Sequence, residues 1–247
     1  MITRYTAPED LISEFYQDRD RAWYWQKKML KKEKYTSKSY ESFRDTYCRK
    51  KGEARGEIFE YESPMYGNKW LSWWRFMTAG MTQLPECRNY QALYRMTADY
   101  MEVMIGTRIG DNENILKGVT VYTDHLFQRI AQRLKVDMTD RKKVICNFVE
   151  LASTASVTIR PPRPGERDDQ CICRLPASFL KGHILFTDTS YVMRYNTFIP
   201  EKSMTPAQMR WVKSFAKDAD DTTIADVKNH FKVIEEYANN DLLDYGI

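Results

Sequence analysis

Residues 118–135 read GVTVYTDHLFQRIAQRLK, a β-branched and aromatic run that passes through Thr-Asp into a segment with charged and apolar stripes. Gly118–Tyr122 predicts a short strand and Asp124–Lys135 a helix, with Thr123 or Asp124 capping it by accepting a backbone N–H. At 100° per residue, His125, Arg129 and Arg133 fall within roughly 80° of arc, while Leu126, Phe127, Ile130 and Leu134 fill the neighbouring arc. One stripe is buried and the other is basic. A histidine just inside a helix N-terminus feels the positive end of the dipole, which favours its neutral form.

Working outward toward the C-terminus, a second helix is expected over Thr139–Ala152, carrying Val144, Ile145, Phe148 and Leu151. Four strand candidates follow: Ser156–Arg160, Gln170–Leu175, Gly182–Thr187 and Tyr191–Ile199. Their joints are short and rich in Pro, Gly, Asp and Ser, which favours an antiparallel meander over 156–199. In the last strand the period of two puts Arg194 and Asn196 with Val192 and Phe198, and Tyr195 and Thr197 with Met193 and Ile199. Thr205-Pro206 opens a further helix, and Ile224–Tyr237 predicts a last one, so C-terminal helices occupy 205–240.

Working toward the N-terminus, the reading is helical. Pro8-Glu9-Asp10 opens a helix with Leu11, Phe15, Ala22, Trp23, Trp25 and Met29 in its stripe. A second helix is expected within 34–56, ending near Gly52, and a third over Tyr90–Ile105. Gly106, Gly110, Asp111 and Asn112 make a turn-rich break. The expected fold class is therefore α+β. A helical, basic and aromatic-rich region spans 1–105, followed by a 106–247 domain with a two-helix plus four-stranded antiparallel sheet unit.

The chain has 247 residues, 43% hydrophobic and 13% aromatic, with a mean hydropathy of -0.63. This describes a globular chain with an unusually aromatic apolar content. No apolar stretch is long enough for a membrane span and no secretory signal is visible, so no membrane and a cytoplasmic location are expected. Five irregularly spaced cysteines argue against a disulfide framework. Cys171-Ile-Cys173 lacks a second pair or a near histidine, and no metal site or cofactor is expected. The net charge of +4 is unevenly spread: residues 21–55 hold twelve Lys/Arg against four acids, and residues 216–247 hold three lysines against eight acids. That asymmetry suggests a polyanion partner, RNA or another nucleic acid.

Trp23 and Trp25 stand beside Lys27, Lys28, Lys31 and Lys32, a set that stacks on bases and binds phosphates, or else forms an ordinary amphipathic helix with its aromatics in the core. Trp70, Trp73, Trp74 and Phe76 form the most apolar cluster, to be buried in the core or against a protein partner. Glycine-rich phosphate loops, H-E-x-x-H and G-x-S-x-G are absent from the sequence.

Two helices before a four-stranded meander, with H-x-x-x-R-x-x-x-R on the first helix and a threonine on the last strand, resemble the barnase and colicin-type superfamily of metal-independent RNase toxins. The resemblance covers roughly residues 118–200, and helix 124–135 is also similar to one in uncharacterised bacterial and phage proteins. It implies a toxin or defence endoribonuclease that cleaves RNA by attack of the ribose 2′-OH on the adjacent phosphodiester. His125 would serve as base or acid; Arg129, Arg133 and Arg194 would stabilise charge; Thr197 or Tyr195 would orient the phosphate or nucleotide, and His183 could approach in space. The alternatives are a non-enzymatic nucleic-acid-binding or phage/host interaction protein, and a structural assembly component.

Overall fold

The segment 90–105 overturns the helical reading of the N-terminal region. In the computed structural model, which describes residues 6–32, 54–55, 58–77, 86–109, 116–153 and 155–218, it belongs to two antiparallel strands, β4 (Glu86–Met96) and β5 (Met101–Ile109). Thr97 N–H donates to Tyr100 C=O across the turn between them at 2.9 Å. Tyr90, Ala92 and Tyr94 enter one core, while Leu93 and Met104 enter another. Leu93 and Met104 interrupt the alternation of apolar and polar positions in the two strands, which weakens their period of two.

The tryptophan-rich run is also a strand, β3 (Lys69–Met77), flanked by β1 (Ala54–Arg55) and β2 (Phe59–Glu62) on one edge and β4 on the other. β6 (Leu116–Tyr122) then pairs with β5, continuing the sheet across the turn-rich break. Further on come β7 (Ser156–Arg160), β8 (Asp169–Leu175), β9 (Ser178–Phe186) and β10 (Ser190–Pro200). Among the described residues, ten strands form one mixed sheet in the order β1-β3-β4-β5-β6-β10-β9-β8-β7, with β2 also on β3. Two antiparallel meanders, β3 to β6 and β7 to β10, meet at the parallel pair β6 and β10, in register from Ser190 opposite Lys117 to Tyr195 opposite Tyr122. The expected helical region beside a separate four-stranded unit is thereby corrected to a sheet-dominated α+β fold, in which the N-terminal residues supply one of the two meanders.

Helices cover both faces of this sheet. From α1 (Pro8–Lys32), Leu11, Ile12, Phe15 and Ala22 pack on Trp70, Leu93, Met104, Val119, Val121 and Val192. From α2 (Asp124–Leu134) and α3 (Arg141–Ala152), Leu126, Phe127, Ile130, Ile145 and Phe148 join Trp73, Tyr94, Tyr122, Tyr191 and Tyr195 on the opposite face. α4 (Pro206–Asp218) lies on the α1 face of the second meander, with Phe215 against Arg160 and Trp211 over Lys181. Two buried carboxylates anchor the helices to β3. Asp18 of α1 accepts from Trp70 Nε1 at 2.8 Å, and Glu150 of α3 accepts from Trp73 Nε1 at 2.8 Å and from Arg75 at 2.9 Å.

The central seam depends on one glycine. Gly118 is the register partner of Tyr191, and a Cβ there would lie 2.1 Å from the tyrosine ring. The ring occupies the space over Gly118, which closes the seam between the two meanders. The helix expected near residues 34–52, the last helix at 224–237 and the acidic tail lie outside the described residues. Among the described residues no helix is long and apolar enough to cross a membrane.

Candidate active site

The basic stripe of α2 is on the surface, and its arginines are engaged locally. His125 is exposed and accepts at Nε2 from Arg129 Nε at 3.4 Å, and Arg129 also donates to Gln132 Oε1 at 3.2 Å. Arg133 donates to the backbone carbonyl of Phe198. The start of α2 is held by tertiary bonds: Thr123 Oγ1 donates to Tyr195 C=O at 3.1 Å, and Asp124 accepts from Met101 N–H at 2.8 Å. Thr123 occupies the cap position without a side-chain capping bond. Both oxygens of Asp124 are used, the second by Gln128 at 2.6 Å.

Arg194 and Thr197 lie on the other side of the sheet from this stripe. Arg194 shares the face of Val192, which packs under α1, whereas Tyr191, Met193 and Tyr195 face α2. The register of β10 against β9 shifts between Tyr195 and Thr197, so Asn196 is an extra residue in the ladder. Thr197 therefore pairs with Lys181 on the α1 face and Phe198 turns to the α2 face, the reverse of the simple alternation. The structure brings Arg194, Asn196 and Thr197 to one surface and separates them from His125, Arg129 and Arg133.

Around Arg194 a compact polar group assembles. Glu102 of β5, 3% exposed, forms an ion pair with Arg95 of β4 and lies 3.8 Å from Arg194 NH1. The Arg95 and Arg194 side chains retain 22% and 21% exposure, although Arg95 Nε and Nη2 are buried with the carboxylate. Burial lowers the affinity of both arginines for their protons, and Tyr100 opposes this electrostatically at each. His183 of β9 is the cross-strand partner of Arg194, and its Nδ1 is 3.4 Å from the Asn196 amide nitrogen. Burial holds the imidazole below its ordinary pKa of 6.5; Asp168 pulls it upward and Arg194 lowers it further. The neutral ring predominates at pH 7. Along β9 the α2-face residues are buried while Phe179, Lys181, His183 and Leu185 on the α1 face are half-exposed, so this side of the meander is accessible.

The remaining expected contacts are distributed elsewhere. Lys27 Nζ lies 3.5 Å from the centroid of the Trp23 ring, Trp25 packs against Tyr61, and Lys28 is exposed. The side chains of Lys31, Lys32 and Phe76 lie outside the described residues. Trp70, Trp73 and Trp74 are buried in this chain's own cores and offer no exposed surface to a partner. Cys171 and Cys173 are buried, and desolvation pushes the Cys173 thiol up to about 12. Among the described residues no cluster of His, Cys, Asp or Glu has the grouping of a metal site.

Arg95 and Glu102 are absent from the expected site because the residues that carry them read as helix. The alternation of Tyr90, Ala92 and Tyr94 was the available signal. In comparisons with known proteins, no family model, curated protein or solved structure matches the chain.

Proposed function

We propose that this chain is a metal-independent endoribonuclease whose active surface is the α1 face of the second meander, centred on His183 and Arg194. The reading is supported by one observation: a histidine whose pKa burial holds below 6.5 stands directly across the β9–β10 pair from Arg194, whose guanidinium lies 3.8 Å from the buried Glu102 that also pairs with Arg95. Guanidiniums supply forked donors for phosphate, and Glu102 positions them without itself reaching solvent. His183 takes the proton of the ribose 2′-OH as that oxygen bonds to phosphorus. The P–O5′ bond breaks, solvent protonates the leaving oxygen, and the products are a 2′,3′-cyclic phosphate and a 5′-hydroxyl. Arg194 and Arg95 stabilise the charge that builds on the phosphorane.

The test is incubation of an end-labelled single-stranded RNA with the chain in EDTA at pH 7.5. The wild type yields cyclic-phosphate ends; His183→Ala lowers the rate by about 100-fold or more and Arg194→Ala by at least about tenfold, with unchanged circular dichroism. His125→Ala retains activity. Absence of cleavage by the wild type, or undiminished cleavage by folded His183→Ala, overturns the assignment. The exposed α2 stripe favours a second reading, RNA binding without chemistry. Salt-sensitive binding that Arg129→Gln weakens, with no cleavage product, is the outcome that selects it.

A further inference from the structure

The sheet is open between β4 and β5. These strands pair only from Leu93 opposite Met104 to Met96 opposite Met101, although β4 continues on β3 as far as Glu86 and β5 continues on β6 as far as Ile109. Residues 86–92 and 105–109 thus diverge as the two sides of a wedge. A cavity of about 610 Å³ occupies the wedge and reaches from α1 on one face to the end of α3 on the other. That volume is within the range of small-molecule sites, roughly 300–1,000 Å³.

Each part of the wall has a distinct chemistry. Tyr90 on one side of the wedge and the buried Tyr122 and Tyr191 on the other form an aromatic wall, and the small residues Ala152 and Ser153 leave the interior open beneath α3. At the wedge itself Gln91 donates to Gln26 Oε1 at 3.2 Å. Gln26 is only 4% exposed, and its Nε2 is buried with no hydrogen-bond partner among the described residues. A buried amide without a partner is unfavourable, and an acceptor on a bound molecule would offset that cost. Arg19, Arg88 and Arg108 line the cavity with one acid, Asp20. Gly106 lets Arg19 cross close above β5, since a Cβ there would stand 2.7 Å from Arg19 NH1.

We propose that this cavity is a nucleotide-binding site, with the planar base among the tyrosines, its hydrogen-bonding edge at Gln26 and Gln91, and the phosphate at the arginines. The site is independent of the His183 surface: none of Arg95, Glu102, His183 or Arg194 lines it. Tyrosine faces stack on heteroaromatic rings, carboxamides read paired donors and acceptors, and guanidiniums hold phosphate.

Isothermal titration of the full chain with AMP, GMP, CMP and UMP tests this, with adenosine and inorganic phosphate as separate titrants. At least one monophosphate binds saturably at one site, and its phosphate-free nucleoside binds at least about tenfold more weakly. Gln26→Leu, close in volume and without the amide, weakens binding by about tenfold, as does Arg88→Gln at the margin of the cavity. His183→Ala leaves the affinity unchanged, which separates this site from the cleavage surface. No saturable binding of any monophosphate at millimolar concentration overturns the proposal. So does an affinity unaltered in both folded variants, or equal affinity for nucleoside and nucleotide.

Discussion

His183 illustrates how a side chain acquires its chemistry from its neighbours. As one of three histidines in the chain it has nothing in its immediate sequence, GHILF, to distinguish it. In the sheet it faces Arg194 across the strand and Asn196 at the bulge, and burial depresses its pKa below 6.5. A depressed folded pKa means that the unfolded chain binds the proton first. The contribution of this group to stability is present above about pH 6.5 and is lost as pH falls through the lower folded value. Denaturant titrations at pH 7.5 and pH 5 should therefore show a loss of stability at the lower pH that His183→Gln reduces. An identical pH dependence in that variant would show that the ring is as easily protonated folded as unfolded. Its pairing with Arg194, and the approach of Arg194 to the pair of Glu102 with Arg95, are visible only once β9, β10, β6, β5 and β4 stand in sheet order.

Two of the helices that cover the sheet, α1 and α3, are each fastened through a carboxylate to a tryptophan of β3, Asp18 to Trp70 and Glu150 to Trp73. The adjacent tryptophans Trp73 and Trp74 must point to opposite faces of a strand, so the run from Trp70 to Trp74 serves two cores at once. Glu150→Ala leaves the Trp73 N–H buried without its acceptor and removes the ion pair with Arg75. The expected loss is about 2–3 kcal/mol, read as a lower denaturation midpoint with an unchanged slope. A change under about 0.5 kcal/mol would mean that water replaces the carboxylate. The strands of the second meander stand where Pro164-Gly165, Pro176-Ala177 and Asp188-Thr189 punctuate the chain, because turn residues and alternating burial were both legible there. β4 and β5 were less legible, because Leu93 and Met104, which face the second core, interrupt the alternation of each strand. The bulge at Asn196 was equally hidden, since one extra residue in a ladder is defined by the partner strand and not by its own sequence.

The two meanders share a parallel seam buried at the middle of the sheet, with α1 touching Val192 on one side and α2 packing on Tyr191 and Tyr195 on the other. Each meander alone would leave its last strand, β6 or β10, with an unpaired edge, so both should unfold together. Tryptophan fluorescence, with three of the six tryptophans in β3, and far-ultraviolet circular dichroism should trace one coincident transition in denaturant. Gly118→Val, which forces a side chain into the Tyr191 ring, should shift both probes to lower denaturant equally. Two separated transitions would identify two independently folding halves. Legible in the sequence alone were the helix read over 124–135 with its apolar and basic stripes, the helix read over 139–152, the turn-punctuated strands of 156–199 and the absence of a long apolar span. These are set by local periodicity, capping and turn chemistry, which operate within a few residues. Only the tertiary structure decided that residues 69–109 complete the same sheet and that Arg194 and His125 lie on opposite faces. It also decided that Arg194 stands beside both His183 and the pair of Arg95 with Glu102 and that a wedge opens between β4 and β5. Those features arise from pairing between strands far apart in the chain, where the partner determines which face each side chain occupies.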